Sequence, residues 1–272
     1  MSMHLGNIRK MKTALEGEEV QYGMVLNNNL EKGEVISLNE HVGEKIYIEF
    51  QHQINCVVTG EKIKKAFGEG MSYDAFMNSP MAVESIIRPE LSRIHEGIAL
   101  RDEEWERRNH LQPHYVYLSK TSGVKVGVTR STQVPFRWID QGAVEAMIIA
   151  ETPYRQAAGL IEVALKDYVA DKTSWQKMLK NDLNDLSLDE ARDYLLDYVP
   201  EELEEFVKYR EPIQHLHFPV LNYPEKVKSM KLDSTPIIEK KLTGIKGQYL
   251  MFEDGTVMNI RSHSGYLVKV DF

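Results

Sequence analysis

From His114 the chain reads His-Tyr-Val-Tyr-Leu-Ser-Lys-Thr-Ser-Gly-Val-Lys-Val-Gly-Val-Thr, ending at Thr129. A period of two on both sides of a Thr-Ser-Gly interruption predicts a strand, a tight turn and a second strand. Val124, Val126 and Val128 fall on one face, together with Val116 and Leu118 of the first strand. Such a face requires a helix to cover it. The other face carries Tyr115, Tyr117, Lys125, a bare Gly127 and Thr129. Two readings of it stand side by side. Hydroxyls and an ammonium around a glycine that lets a ligand approach the backbone form a site-like surface. Tyrosine and threonine are also ordinary strand residues that cover their own hairpin.

The sequence downstream supplies helices. Pro135 suits a first helical residue and Gly142 a helix end, which predicts a short helix over roughly 135–141. Residues 143–150 read as a buried strand. Thr152 and Pro153 offer a cap and first turn to a longer helix, in which Ala157, Leu160, Ile161, Ala164, Leu165 and Tyr168 keep helical spacing. Ser187-Leu-Asp-Glu190 is a capping-box pattern opening a helix through Val199, and Pro200-Glu-Glu begins another with acids in its first turn.

Before residue 59 the chain alternates again, in Glu34-Val-Ile-Ser-Leu38 and Glu44-Lys-Ile-Tyr-Ile-Glu-Phe50. Residues 59–112 lose any period and carry Asn78-Ser-Pro80 and Arg88-Pro89, which predicts a loop-rich stretch with short helices. Beyond Pro212, residues 244–252 read as one strand, followed by strands at 257–261 and 265–270 joined by Asp-Gly and Ser-Gly turns. The expected division is therefore 1–58 β-rich, 59–112 an irregular insert, 113–180 a central module, 181–212 acidic helices and 213–272 β-rich. The expected fold class is α+β, a small central sheet with helices flanked by β-rich N-terminal and C-terminal segments.

Composition narrows the function classes. No apolar run approaches the roughly 20 residues of a membrane-spanning helix, and the single cysteine, Cys56, cannot form an internal disulfide. The expectation is a cytoplasmic protein with no membrane partner. A formal charge of −8 argues against a surface coated for indiscriminate nucleic-acid binding. The charge is nevertheless segregated. Lys120, Lys125, Arg130, Arg137 and Arg155 outnumber Asp140, Glu145 and Glu151 between residues 119 and 155, whereas acids crowd residues 182–205.

Residues 115–180 resemble the GIY-YIG nuclease module. Tyr115-Val-Tyr117 stands at its first tripeptide, Lys125-Val-Gly127 at its second, Arg137 follows, and Glu162 lies on the later helix. The resemblance implies that Tyr117, Lys125, Arg137 and Glu162 are catalytic, that Tyr115, Gly127, Thr129 and Gln141 touch substrate, and that Glu162 holds Mg²⁺ or Mn²⁺. It implies DNA or RNA as partner. Two positions depart from the pattern, Lys125 for the second tripeptide's tyrosine and Gln141 for a histidine four residues after the arginine. Lysine binds phosphate as a point charge, but an amide cannot transfer protons as an imidazole does. Metal-dependent phosphodiester cleavage and a non-catalytic binding or scaffold role on the same fold both remain open.

A resemblance over nearly the whole chain is carried by Phe50-Gln-His-Gln-Ile-Asn-Cys56-Val-Val-Thr-Gly60, Lys125-Val-Gly-Val-Thr-Arg130, Arg137-Trp-Ile-Asp-Gln-Gly-Ala143, Ala170-Asp-Lys-Thr-Ser-Trp175 and Gly244-Ile-Lys-Gly-Gln-Tyr-Leu. By these the chain resembles an uncharacterised bacterial family, domain-of-unknown-function family twenty-seven ninety-seven. That resemblance implies a cysteine-rich insert with zinc-binding appearance. Here the paired thiols have shrunk to Cys56-Val-Val-Thr59, and residues 70–75 hold none. Cys56 with His95, His110 and His114 is the remaining donor set, at no familiar ligand spacing, so zinc is not expected. Trp138 and Trp175 read either as core anchors or as stacking platforms for a base. Glu162 reads either as a ligand or as half of an i,i+4 pair with Lys166.

Overall fold

The structure, a computed structural model, describes residues 3–169 and 174–272. The first four residues of the Ala170–Trp175 motif lie outside the described residues. In chain order the elements are β1 (His4–Glu16), β2 (Glu19–Asn28), β3 (Glu31–Ser37), β4 (Lys45–Asn55), β5 (Lys62–Ile63), α1 (Tyr73–Asn78), α2 (Glu103–His110), β6 (His114–Lys120), β7 (Val124–Arg130), α3 (Phe136–Gln141), β8 (Glu145–Thr152), α4 (Arg155–Lys166), α5 (Trp175–Lys180), α6 (Leu188–Leu196), β9 (Gln214–His215), β10 (Lys228–Met230), β11 (Ile237–Lys246), β12 (Tyr249–Phe252), β13 (Thr256–Asn259) and β14 (Tyr266–Asp271). The fold is α+β, dominated by strands. Two compact units divide it, one built from Met1–Ser79 with His217–Phe272 and the other from Pro80–Leu216.

The first unit carries a ten-stranded sheet in the order β10-β13-β12-β11-β4-β14-β1-β2-β3, with β5 paired to β4. Strand β4 shows why the alternation of its sequence is so regular. Ile46, Ile48 and Phe50 point into the core while the residues between them are more exposed, the pattern of a strand buried on one face. It pairs with β11 on one side and β14 on the other. Residues 244–252, expected as a single strand, are two. Gly247 adopts φ 61°, a left-handed conformation that suits glycine, and turns the chain so that Lys246 pairs with Tyr249.

The second unit contains an antiparallel sheet in the order β7-β6-β8-β9. Hairpin β6–β7 sets Val116 opposite Val128, Tyr117 opposite Gly127 and Leu118 opposite Val126. One face is therefore aliphatic, and it packs with Ile161 and Leu165 of α4 and Leu188 and Leu195 of α6 in a single apolar cluster. Burial of each such side chain contributes roughly 1.5–3 kcal/mol. The capping box forms as its residues suggest, with Glu190 N donating to Ser187 Oγ at 3.2 Å and Ser187 N to a Glu190 carboxylate oxygen at 3.1 Å. The turn after Pro200 is a short 3₁₀ helix, Glu201–Phe206.

Helix α4 departs from expectation at both its start and its buried stripe. Thr152 ends β8 opposite His114, and its hydroxyl donates to backbone carbonyls rather than capping the helix, which starts at Arg155. Leu160 and Tyr168 are exposed, whereas Ala158 and Gly159 are buried. The reason is a second neighbour that periodicity did not reveal. The backbone turn Pro89–Leu91 presses on α4 so closely that a Cβ at Gly159 would stand 2.2 Å from Glu90 N.

Candidate phosphate site

A cavity of about 440 Å³ opens in the second unit. Hairpin β6–β7 contributes Tyr117, Lys125 and residues 126–128, helix α3 gives Arg137 and Gln141, helix α4 gives Arg155 and Glu162, and the preceding loop gives Ile86, Ile87 and Pro89. Tyr117, Lys125, Gly127, Arg137, Gln141 and Glu162 are thus brought together. Tyr115 and Thr129, facing each other one step along the same strand pair, are not part of this wall. Arg137 and Gln141 share it because four residues make about one helical turn.

The hairpin's second face has a specific occupant. Tyr117 is fully buried, and a Cβ on Gly127 would stand 2.6 Å from its hydroxyl oxygen. The missing side chain at Gly127 makes room for Tyr117, which crosses the partner strand to reach the cavity. There its hydroxyl donates to Gln141 Oε1 at 3.1 Å, and its ring meets Trp138 edge-on at 6.0 Å between centroids. Burial raises the Tyr117 pKa, against the opposing charge and hydrogen bond of Arg137 and the bond with Gln141. Trp138 is buried, which makes it the anchor of α3.

Glu162 and Arg155 define the electrostatics. Burial pushes the Glu162 carboxyl up to about 7; Arg155, Lys166 and Arg137 pull it down, and Glu90 adds to the rise. At neutral pH the group stands near the midpoint of its titration. Arg155 is held by donating Nε to Ser85 O at 2.8 Å and Nη2 to Ile86 O at 3.0 Å. Burial lowers its pKa to about 10, with the Glu162 charge opposing. It stays a cation at any physiological pH. Sequence reasoning did not name Arg155 as a site residue, although its place seven residues before Glu162 puts both on one helix face. The cavity wall from Ile86 to Pro89 carried no comparable signal, because an irregular loop has no period to read.

Cys56 belongs to the first unit, and His95, His110 and His114 to the second. Among the described residues, no group of three or more His, Cys, Asp or Glu is placed to hold a metal ion. Cys56 is buried and its sulfur accepts N–H bonds from Ser72 at 3.2 Å and Thr59 at 3.4 Å. Burial raises its pKa, but hydrogen bonds from Thr59, Ser72 and Val58 outweigh that and leave it at about 7. His110 and His114 are driven down to about 3 and about 4, chiefly by burial and further by nearby Arg155 and Arg130. His95 stacks on Tyr154 with ring centroids 4.4 Å apart.

Fold and cavity together define an α+β protein with a cation-lined cavity and one partly buried carboxylate in its wall. The model of the family described as Protein of unknown function (DUF2797) matches residues 43–268, and the chain belongs to that family. No curated protein and no solved structure matches it. No helix among the described residues is long and apolar enough to cross a membrane.

Proposed function

We propose that this cavity binds a phosphate group of a nucleic acid, with Glu162 able to hold Mg²⁺ or Mn²⁺ beside it. The observation that carries the reading is the convergence of Lys125, Arg137 and Arg155 on one cavity in a chain whose net charge is −8. A local concentration of cations against the overall charge selects an anion. The planar guanidinium of Arg137 suits two phosphate oxygens, and Lys125 adds a point charge. The resemblance of residues 115–180 to the GIY-YIG module adds phosphodiester cleavage as the reaction.

The donor chemistry at Glu162 fits a hard cation. Such an ion takes oxygen ligands, and Mg²⁺ is commonly held by one or two carboxylates with water and substrate phosphate filling the remaining positions. When bound, it would neutralise charge that develops on the phosphate. Burial disfavours the Glu162 charge, and a bound cation would add to the support it already has from Arg155, Lys166 and Arg137.

A second reading, a binding or scaffold protein without catalysis, is favoured by one contact. The Tyr117 hydroxyl proton is directed at the amide oxygen of Gln141, which cannot accept it permanently as an imidazole would. The test is an assay of single-stranded, duplex and branched DNA and RNA with each divalent ion, run beside binding at low salt. Cleavage lost in Glu162→Gln supports the enzyme. Binding that depends on Arg137, without cleavage, supports the scaffold, and absence of both refutes the nucleic-acid assignment.

A further inference from the structure

A smaller cavity of about 180 Å³ adjoins the first through two shared residues, Lys125 and Gln141, and is completed by Thr121, Ser174, Trp175 and Met178. Its size is below the roughly 300–1,000 Å³ of pockets for drug-sized ligands, leaving room for one flat ring system. Trp175 is only partly buried, and Met178 offers a polarisable thioether beside it. Thr121 is 1 % exposed, in the turn between β6 and β7, and its hydroxyl has no hydrogen-bond partner among the described residues. An unsatisfied buried hydroxyl is costly, and rotation about its Cα–Cβ bond towards an incoming polar edge relieves it.

Building on the phosphate assignment above, we propose that this second cavity takes the nucleobase next to the bound phosphate. The base stacks on Trp175 and Met178 and receives a hydrogen bond from, or gives one to, Thr121 Oγ1. Lys125 and Gln141 lie between the phosphate and base positions. The arrangement calls for an unpaired base, because a base stacked within a duplex does not present its face to a side chain.

The test uses the full chain at low salt and labelled single-stranded DNA hexamers, intact or with one abasic position moved along the strand. In the wild type, one abasic position should weaken binding on the order of tenfold, the usual scale of one base–aromatic stack. Trp175→Ala should bind intact and abasic strands alike, while Trp175→Phe keeps most of the difference. Thr121→Val preserves volume and should narrow the spread in affinity among hexamers of different base. If the wild type binds every abasic strand as tightly as the intact one, yet Arg137→Ala weakens both, the phosphate assignment stands and the base pocket is refuted. Equal loss in Trp175→Phe and Trp175→Ala assigns the indole a structural role and also refutes it. If the wild type binds neither strand, both assignments fall together.

Discussion

Glu162→Gln should make the protein more stable, and the gain should depend on pH in a defined way. The carboxyl is raised from 4.5 to about 7, so the folded state keeps its proton after the unfolded state has released one. Below about pH 4.5 both states are neutral there, and a glutamine changes little. As pH rises through 7 the folded chain must accept a partly buried charge, which the amide never carries. At 1.36 kcal/mol per pH unit, the displacement amounts to roughly 3 kcal/mol above pH 7, an upper value because solvent reaches part of the group. With about 2–4 °C per kcal/mol for a chain of this size, the melting temperature should rise several degrees at about pH 8 and hardly at about pH 4. Thermal melts of both proteins across that range measure it. A difference independent of pH, or a loss of stability at about pH 8, would refute the assignment of Glu162 as a burial-strained carboxylate. Saturating Mg²⁺ should narrow the gap at high pH by stabilising the wild type alone.

Other outcomes follow from the same contacts. Divalent-ion affinity should fall about tenfold per pH unit below 7, as protons compete for Glu162, measurable by calorimetric titration. Arg137→Ala should weaken oligonucleotide binding and flatten its salt dependence, read by anisotropy at several salt concentrations. Gly159→Ala should cost about 1–3 kcal/mol in urea unfolding, because its methyl group drives into the backbone of Glu90. Stability should decline as pH falls from about 6.5 towards 4, where the unfolded chain protonates His110 and His114 and the folded one does not, at up to about 1.36 kcal/mol per pH unit for each histidine.

Much of the second unit was legible because its signals are local. Alternation gave both faces of the hairpin, and Gly142, at φ 69°, ends α3 where its sequence indicates. Arg137 and Gln141 could be grouped by helical spacing alone. Four things were not legible. Tyr117 filling the space over Gly127 is a cross-strand contact, settled by register rather than by either residue's identity. Burial of Gly159 depends on the distant Pro89–Leu91 turn. Thr152 could equally cap a helix or end a strand, and its pairing with His114 decided the matter. The break at Gly247 was hidden because one glycine inside an apolar run reads as a weak strand residue as readily as a turn.

The position of β4 has a consequence for synthesis. Its partners β11 and β14 come from the far end of the chain, with Phe50 opposite Val268 and Ile48 opposite Ile238, and the whole of the second unit is encoded between them. A ribosome therefore releases Ile46, Ile48 and Phe50 with only the two-residue β5, opposite Ile54 and Asn55, beside their strand, and must translate the complete cavity-bearing unit before the edges at Ile46, Ile48 and Phe50 are filled. Domains generally fold as units during synthesis. The second unit is accordingly the first to be finished, while the apolar row of β4 waits for its partners, which makes nascent chains stalled before β11 the species most in need of a chaperone.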